Sequence, residues 1–346
     1  MPLIRRKPCG AVTRKLGVGF EPLEKRIMMT GTFPGVPNVA GQFAAMQSHA
    51  DALAFTLPDT AGAPDASISN HYQGIVRYPG SGTPVFYVTQ KDDQGGFLHV
   101  VTMPTRDTDG ERLGSNLQKI GTDTDDTLPP ATDRWQRDFR FDGSIIVDGR
   151  PLRGYVHPGG MAIVDNILFV VMDTPTGTAN GAAGGIGAIV LFDLGINGSR
   201  RSNPTPIQVF PLNRLADNVA VVKLESWYVL YVNGNGGKSV GTYRTVGTNL
   251  RANDLTLQAG FVFDPSKPTQ YSGPTWPTGS GAHQSATFIR QSASSTPSSS
   301  DPLFLIAMRH SGIGGNPLLG DDLADLYQVT LISGILINWT APGSLE

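Results

Sequence analysis

The sequence predicts an all-β fold, a β-propeller of four to five blades, on three observations. Four segments share one strand–turn–strand layout. Their strands are short and rich in β-branched and aromatic residues. Turn formers are abundant, with 42 Gly and 26 Pro in 346 residues, the composition of short strands joined by tight loops. Self-similarity along a chain decides its architecture before any single motif does.

The first unit opens at His71 and runs to Arg77, continues over 85–89 and closes over 96–103. The second opens at His157 and uses 167–172 and 187–194. The third takes Asp217 to Lys223, then 227–232 and 238–244; the fourth takes His283 to Ile289, then 303–308 and 324–331. In each, a polar residue opens a strand and a second, more apolar strand follows, as in a propeller blade of three or four strands.

The units are spaced more widely than the roughly 40–50 residues of compact blades. Loop insertions near 121–155, 174–185 and 291–301 explain the excess, the second rich in Gly, Thr and Ala and the third in Ser. Four blades are an uncommon closure, so a fifth is expected, either from 40–60 with the C-terminal strand Gly334–Thr340 or from 121–155. Gln42–Phe55 is the best helical segment. A β-sandwich is the alternative architecture. The expected single domain spans 31–346.

Hydrophobic residues make up 39% of the chain and charged ones only 16%, enough apolar material for a packed interior. No stretch approaches the roughly 20 apolar residues that span a bilayer, so no transmembrane segment is expected. The lone Cys9 rules out a disulfide framework within the chain and a thiolate zinc cluster. Residues 1–30 carry seven Lys/Arg against two Glu, and the remainder 20 against 27. An acidic body lacks the clustered cations that phosphate binding needs, which argues against nucleic acid as partner. The basic leader, interrupted by Pro2, Pro8, Gly10, Gly17, Gly19 and Pro22, is a poor helix and fits a targeting segment.

Within that leader, Glu21, Pro22, Leu23, Glu24 and Arg26 precede the apolar triplet Ile27, Met28, Met29. The stretch Phe20 to Thr30 resembles the LEPR-XLL motif that heads many exported or surface proteins of one bacterial group. The Met pair departs from the Leu usual in that triplet. The resemblance covers about 11 residues and implies export, to periplasm or cell surface; it says nothing about activity.

Aligned, the units put His71, His157, Asp217 and His283 at one equivalent position. The innermost strands of a propeller line its axis, so strand-opening residues converge at one mouth. Three imidazoles and a carboxylate suit Zn²⁺, Mn²⁺ or Fe²⁺, with an open position for a water activated for hydrolysis. In that arrangement Asp217 is a fourth ligand or a base, and Gln73, Gln284 and Arg77 orient substrate. The plainer reading is that a polar residue opening an inner strand satisfies backbone groups and recurs because the units recur. A one-residue slip in the third unit would turn Asp217 to the opposite face.

Glu225, in the turn Leu224 to Trp227, is a candidate general base or rim contact. Asp321, Asp322 and Asp325 near a strand start, and the run Asp107 to Glu111, are candidate Ca²⁺ ligands, although the latter lacks the later positions of a calcium loop. The Gly-rich stretches show no phosphate-loop signature, and no nucleophile elbow occurs. Trp276, between two prolines, is the best exposed aromatic for a sugar; Tyr72, Tyr155, Trp227 and Trp339 are further aromatics, of which Tyr72 and Trp227 fit a core better.

The function that follows is an exported propeller binding a small-molecule or carbohydrate ligand at its axial mouth. A metal-dependent hydrolase or lyase on extracellular carbohydrate or phosphoester is the alternative. A metal-free glycosidase would need two opposed carboxylates, and no unit offers an obvious pair.

Overall fold

The computed structural model describes residues 36–45, 71–79, 85–92, 95–102, 135–141, 146–147, 150–151, 157–173, 187–212, 215–224, 227–234, 239–251, 257–263, 283–292, 301–313, 316–332 and 335–345. The fold is all-β, with one short helix and a single 3-10 turn among these residues.

Sheet 1 contains β1 (His71–Arg77), β2 (Val85–Asp92), β3 (Gly95–Thr102) and β4 (Trp135–Arg140). A small ribbon follows, of β5 (Ile146–Val147) and β6 (Arg150–Pro151). Sheet 2 contains β7 (His157–Val164), β8 (Ile167–Asp173), β9 (Gly187–Asp193) and β10 (Thr205–Pro211). Sheet 3 is β11 (Asn218–Lys223), β12 (Tyr228–Gly234), β13 (Ser239–Thr245) and β14 (Leu257–Phe263). Sheet 4 is β15 (His283–Arg290), β16 (Leu303–Ile313), β17 (Asn316–Ile332) and β18 (Ile335–Leu345). In all four, strand order follows chain order and neighbours run antiparallel. Each sheet is therefore a meander, the arrangement short turns permit.

Burial explains the apolar runs. Along β8, Leu168, Val170 and Met172 face Tyr87, Leu98 and Phe139 of sheet 1 and Phe141 just beyond it. The alternate residues Ile167, Phe169 and Val171 face Val219, Leu230 and Val232 of sheet 3. A strand covered on both faces loses the polar/apolar alternation of a half-exposed one. Ala220, Tyr231 and Val240 in turn meet Phe288, Leu305 and Tyr327 of sheet 4. Sheets 2 and 3 are thus covered on both sides, which a two-layer sandwich does not provide. Phe139 and Phe192 meet edge to face at 5.6 Å across the first junction, and each such fully buried side chain contributes about 1.5–3 kcal/mol of transfer free energy.

The free face of sheet 4 is covered by α1 (Val39–Ala44), whose Val39 and Phe43 pack on Ile289, Phe304 and Leu326. The helix begins ahead of the expected Gln42 because Asn38 caps it: its Oδ1 accepts from the Gly41 N–H at 3.1 Å. Val36 pairs in parallel with Gln291 and fastens the segment to the end of β15.

Parts of the expected sources of a fifth unit belong to other sheets, while residues 46–60 and 121–134 lie outside the described residues. β18 is the outermost strand of sheet 4, and β4, inside the expected 121–155 insertion, is the outermost strand of sheet 1. The first strands of the sheets also pack on each other. β1 lies against β7, β7 against β11 and β11 against β15, and β15 reaches back to β7.

Candidate functional site

His71, His157 and His283 each open the first strand of a sheet, and Asp217 immediately precedes the first strand of sheet 3. The chain bends near each histidine. Pairing between β1 and β2 shifts register between Tyr72 and Gly74, that of β15 and β16 between His283 and Ser285, and that of β7 and β8 between Pro158 and Met161. Such bulges re-aim side chains. Gln73 and Gln284, both expected substrate-orienting residues, are the residues left out of the pairing.

Glycine brings these strand openings together. The Gly160 N–H donates to the Asp217 carbonyl at 2.7 Å, and the Asp217 N–H donates to the Asn233 carbonyl at 2.8 Å. A Cβ on Gly159 would stand 2.1 Å from that same Asp217 oxygen, and one on Gly160 the same distance from Asn218 Oδ1. On the other side, a Cβ on Gly74 would stand 3.1 Å from the Gly159 oxygen. The Thr89 hydroxyl, fully buried, donates to Gly159 O at 2.7 Å. β7 is thereby hydrogen-bonded to β11 backbone to backbone, and β1 lies close against β7 with the Thr89 hydroxyl of β2 bridging the two sheets.

At this end His157 Nδ1 lies 2.9 Å from Asp173 Oδ1. The carboxylate is only 10% exposed and the imidazole 30%. The contact sets the ring's orientation. Asn218 (1% exposed) and Asn233 (fully buried) face each other across β11 and β12. Asp217 is half-buried, and its main chain serves as the joint between β7, β11 and β12.

Other expected site residues lie elsewhere. Arg77 is at the opposite end of β1 from His71, about 20 Å away at the usual rise per residue, so it does not share the strand-opening end. Glu225 and Trp276 lie outside the described residues, as does Asp107 to Glu111. The strand ends that flank Glu225, Lys223 and Tyr228, pair with each other at the far end of β11 from Asp217. Asp321, Asp322 and Asp325, expected near a strand start, lie inside β17, and Asp325 is buried. The side chains of His71, Gln284 and His283 lie outside the described residues, and among the described residues no group of three or more His, Cys, Asp or Glu could hold a metal ion. Trp227 packs under the Arg244 guanidinium at 5.3 Å.

Sequence reasoning missed Asp173, Asn218 and Asn233. Counting outward from the two-residue Asp165–Asn166 turn puts Asp173 opposite residue 158; the bulge moves it to His157. A readable signal existed for the strand openings: three residues after each aligned polar residue stands a small one, Gly74, Gly160, Ala220 and Ala286. Small residues there let strands approach closely.

The opposite end is built differently. Asp165 and Asn166 both have positive φ, 49° and 59°, the backbone of a primed hairpin turn. Tyr78 of sheet 1 donates to Asn166 Oδ1 at 2.6 Å. From sheet 3, the Tyr228 hydroxyl donates to Asp165 Oδ2, and Lys223 Nζ lies 2.6 Å from the same atom. Burial and the Asp165 carboxylate push the Tyr228 hydroxyl well above its ordinary pKa, so it remains a donor. Nearby, Asp193 accepts from the Gly195 N–H at 2.9 Å and from Arg251 at 2.8 Å.

No protein-family model matches the chain, and no curated protein matches it.

Proposed function

We propose that this chain is an exported β-propeller of four to five blades that binds a small-molecule or carbohydrate ligand at its axial mouth. Four consecutive meanders support the ring, as does the packing of their first strands. In a flat stack of four layers, sheet 3 would separate β15 from β7; contact between the two favours strands gathered around an axis. The LEPR-XLL resemblance at Phe20 to Thr30 supports export.

The observation that carries the binding reading is the His157–Asp173 pair. A largely buried carboxylate orients a partly open imidazole where the first strands begin. Burying charge is costly unless it is paired, and convergent polar groups in a concave mouth are a common form of ligand site.

The same pair also favours a second reading, a metal-dependent hydrolase or lyase. A carboxylate on the far nitrogen of an imidazole is the usual outer shell of a metal-ligating histidine. His71, His157, His283 and Asp217 would be the ligands, and Asp217 or Glu225 the base.

The test is titration of the purified full chain with neutral mono- and disaccharides and with Zn²⁺, on wild type and His157→Gln. Binding of either class that weakens about tenfold or more in the variant, with the melting temperature held, is the expected result. Wild-type binding that is untouched in the variant would move the site away from this mouth.

A further inference from the structure

Resting on the reading of the strand-opening end as a ligand site, we infer that Asn218 is a ligand-binding donor there, and that the ligand is a neutral, hydroxyl-bearing molecule of the sugar or polyol class. Asn218 opens β11 and is 1% exposed. Its Nδ2 has no hydrogen-bond partner among the described residues. An amide group buried without a partner costs about 1–3 kcal/mol, and folds retain such a group where something else satisfies it.

The amide is held in place. Its Oδ1 occupies space that a Cβ on Gly160 would enter at 2.1 Å. The residue before it is fixed from both sides, by the Gly160 N–H on its carbonyl and the Asn233 carbonyl on its N–H. The group therefore has little freedom to swing out to water.

The chemistry of the atom selects the ligand. An NH₂ group donates and does not accept, so it offers nothing to a cation and requires an oxygen. A carboxylate or phosphate would supply one, but Asp217 adjoins Asn218 in the chain and Asp173 is also at this end, and like charges in a poorly solvated site repel strongly. A hydroxyl has neither fault. It accepts from Asn218 and has a proton to give to a carboxylate. Asn218 thus favours the sugar-binding form of the proposed function over the metal-dependent one.

The experiment is calorimetric titration of the full chain with glucose, galactose, maltose and cellobiose, and separately with Zn²⁺ and inorganic phosphate, on wild type, Asn218→Ala and Asn218→Ser. The expected result is saturable binding of at least one sugar, weakened tenfold or more by Asn218→Ala and less by Asn218→Ser, which keeps a donor. The free Asn218→Ala protein melts close to wild type, because the cavity left by the side chain is offset by the loss of an Nδ2 that has no partner among the described residues. Unchanged sugar affinity in Asn218→Ala overturns the inference, as does a variant that melts markedly lower or fails to fold, since the amide then serves the fold or a structural water. Zn²⁺ or phosphate binding without sugar binding overturns the inference but leaves the mouth as a ligand site. Binding of none of these probes removes both.

Discussion

The two ends of the first strands solve opposite problems. Around the Asp165–Asn166 turn, every prominent polar group is answered by a neighbouring sheet: Tyr78 from one side, Tyr228 and Lys223 from the other. At the strand openings the links run to main-chain carbonyls instead, from the Gly160 N–H to Asp217 O and from the Thr89 hydroxyl to Gly159 O. The polar side chains there include the His157–Asp173 pair and the buried Asn218. One end is tied together by side-chain contacts between sheets, while the other relies on close approach at glycine.

The contrast breaks first at Gly159. A Cβ there meets a backbone carbonyl at 2.1 Å, and main chain yields poorly, so Gly159→Ala is expected to cost about 3 kcal/mol. Urea denaturation measures it; a loss below about 0.5 kcal/mol, the scale of an ordinary surface substitution, would mean the strand openings are not in close contact. A smaller effect belongs to the turn end. Tyr228→Phe removes the donor to Asp165 but leaves Lys223 in place, and a hydrogen bond to a charged group contributes about 1.5–3 kcal/mol. The variant should lose about 1.5 kcal/mol without changing ligand affinity. A change in affinity would show that the two ends are coupled.

The smallest effect is one of pH. Burial tends to raise the Asp193 pKa, but the hydrogen bonds from Arg251 and the Gly195 N–H, with the charges of Arg251 and Arg200, outweigh it and hold the carboxyl below its ordinary value. A group depressed on folding contributes stability that is complete above its unfolded pKa and is lost as pH falls through the folded one. Asp193 therefore contributes fully at neutral pH and weakens the fold only below about pH 4. Arg251→Ala should flatten that acid-limb loss, read from melting temperatures at pH 5 and pH 3. An unchanged limb would show that this exposed pair contributes nothing, a common outcome at surfaces.

Much of the fold was legible because the first strands of the sheets follow strong rules. A polar opening followed by apolar residues located His71, His157 and His283 at strand starts and missed β11 by one position, at Asp217 rather than Asn218. The outer strands were harder. Thr205–Pro211 carries a proline at either side and half-exposed residues between, which suits an edge but reads as loop. Trp135–Arg140 is mostly polar and was absorbed into an expected insertion. The helix start depended on the Asn38 cap, a single side chain with no periodic signature. In the site, residue types were readable and partners were not. His157 stood out alone, whereas its partner Asp173 depends on a bulge that shifts pairing by one residue. Arg77 was misplaced because nearness in sequence is distance along an extended strand.

The central claim is that the first strands open around one axis, and it is tested most directly by pulsed electron-spin distances. Spin labels would sit on cysteines replacing His71 and His283, with Cys9 changed to Ser. Packed sheets lie about 10 Å apart, so a ring brings sheets 1 and 4 within two spacings and predicts a distance centred at about 20 Å or less. A distribution centred at about 30 Å or beyond, the depth of four layers in a row at that spacing, would contradict the ring and with it the shared mouth.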